Sequence, residues 1–102
     1  MTSAADAGTW RLGDRVVRRV GLGAMRLTGG AAFSLGTPSD RDRSLATLRR
    51  AVELGVDHVD TAAFYFSRTR SANELISTAL QPYRDDLVIA TKVGPHRDPS
   101  GA

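Results

Sequence analysis

The sequence predicts an α/β fold built on a parallel sheet. Three observations carry this. Short apolar runs alternate with segments of helical periodicity. Each helical segment has its own start and stop signals. The alternation is the pattern of right-handed strand–helix–strand units.

Taken in order, residues 1–8 are small and polar and are expected to be a disordered start. Thr9 to Gly23 reads as two extended pieces about a Gly13-Asp14 turn, with Trp10 and Leu12 before it and Val16, Val17 and Val20 after it. A hairpin is expected there, leading into a strand that ends near Gly21-Leu22-Gly23. Gly29 to Pro38 holds three glycines and a proline around Phe33 and Leu35, the composition of a long loop. A helix follows, capped by Ser39 or Asp40. Its apolar stripe is Leu45, Leu48, Ala51 and Val52, and Gly55 stops it.

Val56 to Asp60 reads as the next strand, and Thr61 to Arg70 as a loop carrying Phe64, Tyr65 and Phe66. Ser71 and Glu74 have capping-box spacing at the start of a second helix. Leu75, Ile76, Ala79 and Leu80 form its apolar face, and Pro82 ends it. Leu87 to Thr91 is nearly all apolar and suits a strand covered on both faces. Residues 95–102 are expected to be a truncated tail, which leaves 9–94 as the structured part.

At 102 residues the chain has room for one domain. Its apolar share of 41% and charged share of 25% are those of a globular protein. With no cysteine there is no disulfide framework or thiolate metal site, and no metal is expected. No run is apolar enough to span a membrane and no secretory signal opens the chain, so a cytoplasmic protein is expected. Of the 14 basic residues Lys92 is the only lysine, and the net charge is +3. The arginines are dispersed among acids rather than gathered on one stripe, so neither a nucleic-acid nor a membrane partner is expected.

Val20-Gly21-Leu22-Gly23 does not make a dinucleotide-binding glycine loop. The third glycine position falls on Arg26, and no helix N-terminus opens there to hold a pyrophosphate. The informative residues are Asp60 and Lys92, each at the carboxyl end of an expected parallel strand, and Tyr65 in the loop after the first. Enzymes with parallel sheets place their chemistry at those ends. A plain Asp–Lys ion pair closing the strand ends is the alternative.

Four stretches together resemble the aldo-keto reductase family: Val20-Gly21-Leu22-Gly23-Ala24-Met25-Arg26-Leu27, Ala51 through Ala62, Asn73-Glu74-Leu75-Ile76, and Val88-Ile89-Ala90-Thr91-Lys92-Val93-Gly94. The resemblance runs from about Arg18 to Gly94 and also takes in the hairpin, which is similar to the one that plugs the bottom of that barrel. It implies a partial (β/α)8 TIM barrel: the N-terminal hairpin, the first three parallel strands and two helices. It further implies reduction of aldehydes and ketones with NADPH through an Asp, Tyr, Lys and His tetrad. Asp60 corresponds to the tetrad Asp, Tyr65 to the general acid and Lys92 to the tetrad Lys. Gly23, Ala24 and Met25 match the end of the first strand, near the nicotinamide.

Elementary chemistry agrees. Hydride arriving at a carbonyl carbon leaves charge on oxygen, which needs a proton or strong donors. A tyrosine's ordinary pKa, near ~10, is high for donation at neutral pH, and a neighbouring ammonium favours the phenolate. A carboxylate keeps such an ammonium charged and in place.

Phe66 stands where the family often has glycine, and Phe64 and Phe66 either line a substrate pocket or pack under the loop. Met25 is read equally as ordinary packing. His58, inside a strand, and His96, in a Gly/Pro-rich loop, do not match the tetrad histidine. A full barrel takes ~250 residues, so the expectation is an N-terminal portion that is inactive alone, with oligomeric state and substrate left open. The alternative is a non-catalytic or regulatory scaffold that needs a partner to complete the barrel. Loss of turnover on Tyr65→Phe separates the two. Salt-dependent binding to generic DNA would instead mark an arginine-rich nucleic-acid binder.

Overall fold

The computed structural model describes residues 2–29, 40–67 and 70–94. The glycine-rich loop at 30–38, Ser39, His96 and the tail at 95–102 lie outside them. Two strands, β1 (Thr9–Leu12) and β2 (Arg15–Arg18), form an antiparallel hairpin in which Trp10 faces Val17 and Leu12 faces Arg15. Gly13 takes φ 62° at the turn, a conformation that glycine adopts without steric cost. Three further strands, β3 (Leu22–Gly23), β4 (His58–Asp60) and β5 (Val88–Ala90), form a parallel sheet in the order β3-β4-β5. Helix α1 (Arg41–Glu53) connects β3 to β4, and α2 (Ala72–Leu80) connects β4 to β5.

Asp40 caps α1, its carboxylate accepting from the Arg43 N–H at 3.1 Å. Gly55, at φ 100°, takes the chain out of the helix. Leu45 and Leu48 are buried, while Ala51 and Val52 at the edge of the stripe are half-buried. Ser71 caps α2 by accepting from the Glu74 N–H. The other half of the expected capping box is not made. The Glu74 carboxylate turns to Arg41 on α1, at 2.8 and 3.0 Å, and to Thr78. A guanidinium is a stronger partner for a carboxylate than a neutral N–H.

The core lies between the helices and one face of the sheet. Leu45, Leu48, Leu75 and Ile76 pack there with Val59, Ala24 and Ala62. Side chains alternate along a strand, and the register aligns Leu22, Val59 and Ile89 on this helix-facing side. Gly23, Asp60 and Ala90 then share the opposite face, with His58 and Val88 one layer below. Among the described residues no element covers that face. β5 is therefore not covered on both sides as its composition predicts: Val88 and Ile89 are half-buried and Ala90 is exposed.

The hairpin is tied to the amino ends of the strands. The Arg18 N–H donates to Asp57 Oδ1 at 2.9 Å and its guanidinium to the Gly55 carbonyl at 2.6 Å, both just before β4. Arg15 donates to the Asp85 carbonyl, before β5, at 2.8 Å. Residues 2–8, expected to be a loose end, instead include one 3-10 turn, Ala4–Ala7, with a reciprocal capping box between Ser3 and Asp6. The Ala4 N–H donates to the Leu54 carbonyl at 2.8 Å, and Ala4 is buried. Local caps and one docking bond order a segment whose composition alone suggests none. No helix among the described residues is long and apolar enough to cross a membrane.

Candidate active site

Asp60, Tyr65 and Lys92, far apart in sequence, meet at the carboxyl ends of β4 and β5. Asp60 is the last residue of β4 and shares the uncovered face with Gly23 and Ala90. Two residues beyond the end of β5, the Lys92 side chain reaches the same face as Asp60. The Lys92 ammonium donates to Asp60 Oδ1 at 2.6 Å, to the Thr61 carbonyl at 2.8 Å and to the Tyr65 hydroxyl at 3.3 Å. Three acceptors match the three N–H bonds of an ammonium. Nζ also stands 5.0 Å from the centre of the Tyr65 ring. The bond to Asp60, followed by that to Tyr65, holds the Lys92 pKa above the ordinary lysine value, against the opposite pull of desolvation.

The backbone aims each group. The Thr61 N–H donates to the Ala90 carbonyl at 2.8 Å, and the Ala63 N–H to the Lys92 carbonyl at 3.0 Å, so the two strand ends stay side by side beyond the sheet. Tyr65 is fixed through its main chain, its N–H donating to the Ala62 carbonyl at 3.2 Å and its carbonyl accepting from the Ala72 N–H at 3.0 Å. Its ring is buried in the core cluster and meets Phe64 edge-on, with centroids 5.3 Å apart. Phe64 packs against the core, and Phe66 is half-buried in an isolated bridge with Ser71.

The three residues matched to the nicotinamide end do not behave alike. Gly23 is exposed beside Asp60, and a Cβ added to it would meet nothing within 4 Å. Ala24 is fully buried, with its N–H donating to the Asp60 carbonyl at 2.9 Å, and Met25 packs against the core. The side chains of Ala24 and Met25 thus serve packing, and Gly23 alone opens on the site. An open glycine edge next to an ammonium and a phenol suits a flat ring that approaches the main chain, so the residues present fit a nicotinamide there.

His58 lies one layer below Asp60, against Gly21. Its Nδ1 is buried, 3.8 Å from Asp57 Oδ1, with no hydrogen-bond partner among the described residues. It is a packed strand residue, as its position suggests. Two contributors escaped the sequence reading: the Thr61 carbonyl, and Asn73, whose Oδ1 accepts from the Thr61 hydroxyl at 2.8 Å. A main-chain carbonyl has no residue-type signature, and Asn73, two residues after Ser71, is best read from the sequence as a helix-start residue.

Residues 19–102 match the model of the Aldo/keto reductase family. Pyridoxine 4-dehydrogenase of Escherichia coli (strain K12) is 45% identical over 92 residues, which are 90% of this chain and 31% of that protein. Uncharacterized oxidoreductase C215.11c of Schizosaccharomyces pombe is 43% identical over 91 residues, 89% of this chain and 28% of that one. Among solved structures, PA4992 from Pseudomonas aeruginosa, assigned to the aldo-keto reductases, superposes with a TM-score of 0.67 at 28% identity. That match covers 91% of this chain and 35% of PA4992. The chain thus spans about a third of the length of the curated relatives it matches. Matched over most of its residues by the family's model and by these relatives, the chain belongs to the aldo/keto reductase family.

Proposed function

We propose that residues 9–94 form the opening part of a (β/α)8 barrel that reduces a small aldehyde or ketone to the alcohol, with NADPH as cofactor, in the cytoplasm. The observation that carries this reading is the Lys92 ammonium, 3.3 Å from the Tyr65 hydroxyl and 2.6 Å from Asp60 Oδ1. Toward Lys92 the phenol oxygen is an acceptor, so its proton can be donated to a substrate oxygen. A nicotinamide held against the open edge at Gly23 would supply the hydride for the carbonyl carbon. As charge develops on the substrate oxygen, Tyr65 transfers its proton there and the product is the alcohol. The phenolate left behind is stabilised by the ammonium, and Asp60 keeps that ammonium charged and in place. The 45% identity over 92 residues to a protein named pyridoxine 4-dehydrogenase supports a small alcohol–carbonyl pair as the substrate class.

The uncovered face of β3-β4-β5 supports the further point that turnover needs the remaining strands of a barrel. It also favours a second reading, in which this chain is a scaffold completed by a partner. Activity restored only on mixing with that partner would distinguish it.

The test is carbonyl-dependent oxidation of NADPH by a complete barrel that carries these residues. Tyr65→Phe should lower kcat by about 10²–10⁴-fold, the usual contribution of a positioned acid. Unchanged turnover in that variant would overturn the assignment of the acid.

A further inference from the structure

We propose that Asn73 is a positioning residue for this site: through Thr61 it sets where the Lys92 ammonium stands relative to the Tyr65 hydroxyl. The proposal rests on reading Asp60, Tyr65 and Lys92 as the acid–base group.

Thr61 is the hub of the strand end. Its N–H is pinned to the Ala90 carbonyl at 2.8 Å, and its carbonyl accepts from Lys92 Nζ at 2.8 Å. The residue is 1% exposed, and its hydroxyl donates to Asn73 Oδ1 at 2.8 Å. That bond ties Thr61 to the first turn of α2. A buried threonine hydroxyl cannot turn to another acceptor without also swinging its methyl group through packed surroundings. The orientation of the Thr61 peptide, and with it the carbonyl offered to Lys92, is therefore held from the side-chain side as well as from the sheet.

The same helix turn grips the other partner, since the Ala72 N–H donates to the Tyr65 carbonyl at 3.0 Å. Consecutive residues of α2 thus hold the two groups whose separation governs the acid. One holds the main chain of Tyr65, and the other the peptide that accepts from Lys92. An amide oxygen at position 73 does this without a second negative charge beside Asp60.

Lys92 is the only lysine among these 102 residues, so this chain labelled with 15N-lysine gives one side-chain ammonium resonance. At mildly acidic pH, proton exchange and chemical shift of that resonance report the hydrogen bonds at Nζ, with no substrate or cofactor required. Asn73→Ala should speed the exchange roughly three- to tenfold, the effect of losing one ordinary hydrogen bond, and move the shift toward that of a free lysine. Asn73→Asp keeps an acceptor for the Thr61 hydroxyl and should restore the slow exchange. Thr61→Val removes the donor with little change of shape. It should reproduce Asn73→Ala, and the double variant should go no further.

An unchanged resonance in both Asn73→Ala and Thr61→Val, with Asp60→Asn still releasing it, would overturn the role of Asn73 and leave the acid–base reading standing. A wild-type ammonium that exchanges like a free lysine and ignores Asp60→Asn would overturn both.

Discussion

Replacing Gly21 with alanine probes how tightly β3 is matched to β4 beneath the site. A Cβ on Gly21 would overlap His58 Nε2 and stand 2.6 Å from both Cδ2 and Cε1. Ordinary contact begins near 3.4 Å, so roughly an ångström must open. The imidazole has little room to give: its side chain is 25% exposed and its Nδ1 is buried. The other way out moves β3, which is two residues long and carries Gly23 and, just beyond, the Ala24 N–H bond to the Asp60 carbonyl.

Overpacking of this kind costs about 1–3 kcal/mol. In a domain near this size 1 kcal/mol shifts the midpoint by about 4–8 °C, so Gly21→Ala should melt about 4–24 °C lower. The clash is with ring atoms beyond the His58 Cβ, so His58→Ala removes it. Circular-dichroism melts and urea titrations of both single variants and the double variant should show the double to be more stable than additivity predicts, by about 1 kcal/mol or more. Strict additivity would refute the idea that this contact sets the spacing of the two strands.

Two further outcomes follow from the packing and charges. Leu48 is 0% exposed at the centre of the core, so Leu48→Ala should cost about 2–5 kcal/mol in urea unfolding with an unchanged m value. A loss under about 1 kcal/mol would mean that α1 does not sit on the sheet as described. The Glu74 pKa is lowered by its bond to Thr78 first and to Arg41 second. A lowered folded value means that its contribution is fully present above the ordinary glutamate range and drains away as pH falls through the lowered value. Glu74→Gln should flatten that acid limb and change stability near neutrality by no more than about 1 kcal/mol, as for exposed pairs. An acid limb of equal steepness in the variant would discount the pairing.

Local chemistry was legible in the sequence wherever it acts over a few residues. The Gly13 turn, the Asp40 and Ser71 caps, the Gly55 exit and the stop before Pro82 depend on single residue types at short spacing, and each stands where the pattern places it. The hydrophobic period likewise set the inward faces, with Leu45, Leu48, Leu75 and Ile76 buried. Even the positions of Asp60 and Lys92 at strand ends came from pattern alone, because a polar residue closing an apolar run is visible without coordinates.

What tertiary structure alone decided is everything that depends on partners distant in the chain. Glu74 chose Arg41 over the cap it was spaced for, because a charged partner 33 residues away outcompetes a neutral N–H at hand. Residues 2–8 gained order by docking on Leu54. Val88 and Ile89 are only half-buried, because burial is a property of what lies opposite rather than of the strand itself. The Thr61 carbonyl and Asn73 joined the site through a main-chain atom and a bond across the turn into α2, neither of which any residue type announces. Sequence periodicity determines which way a side chain points; the distance from the Lys92 ammonium to the Tyr65 hydroxyl was decided only when β4, β5 and the first turn of α2 closed around Thr61.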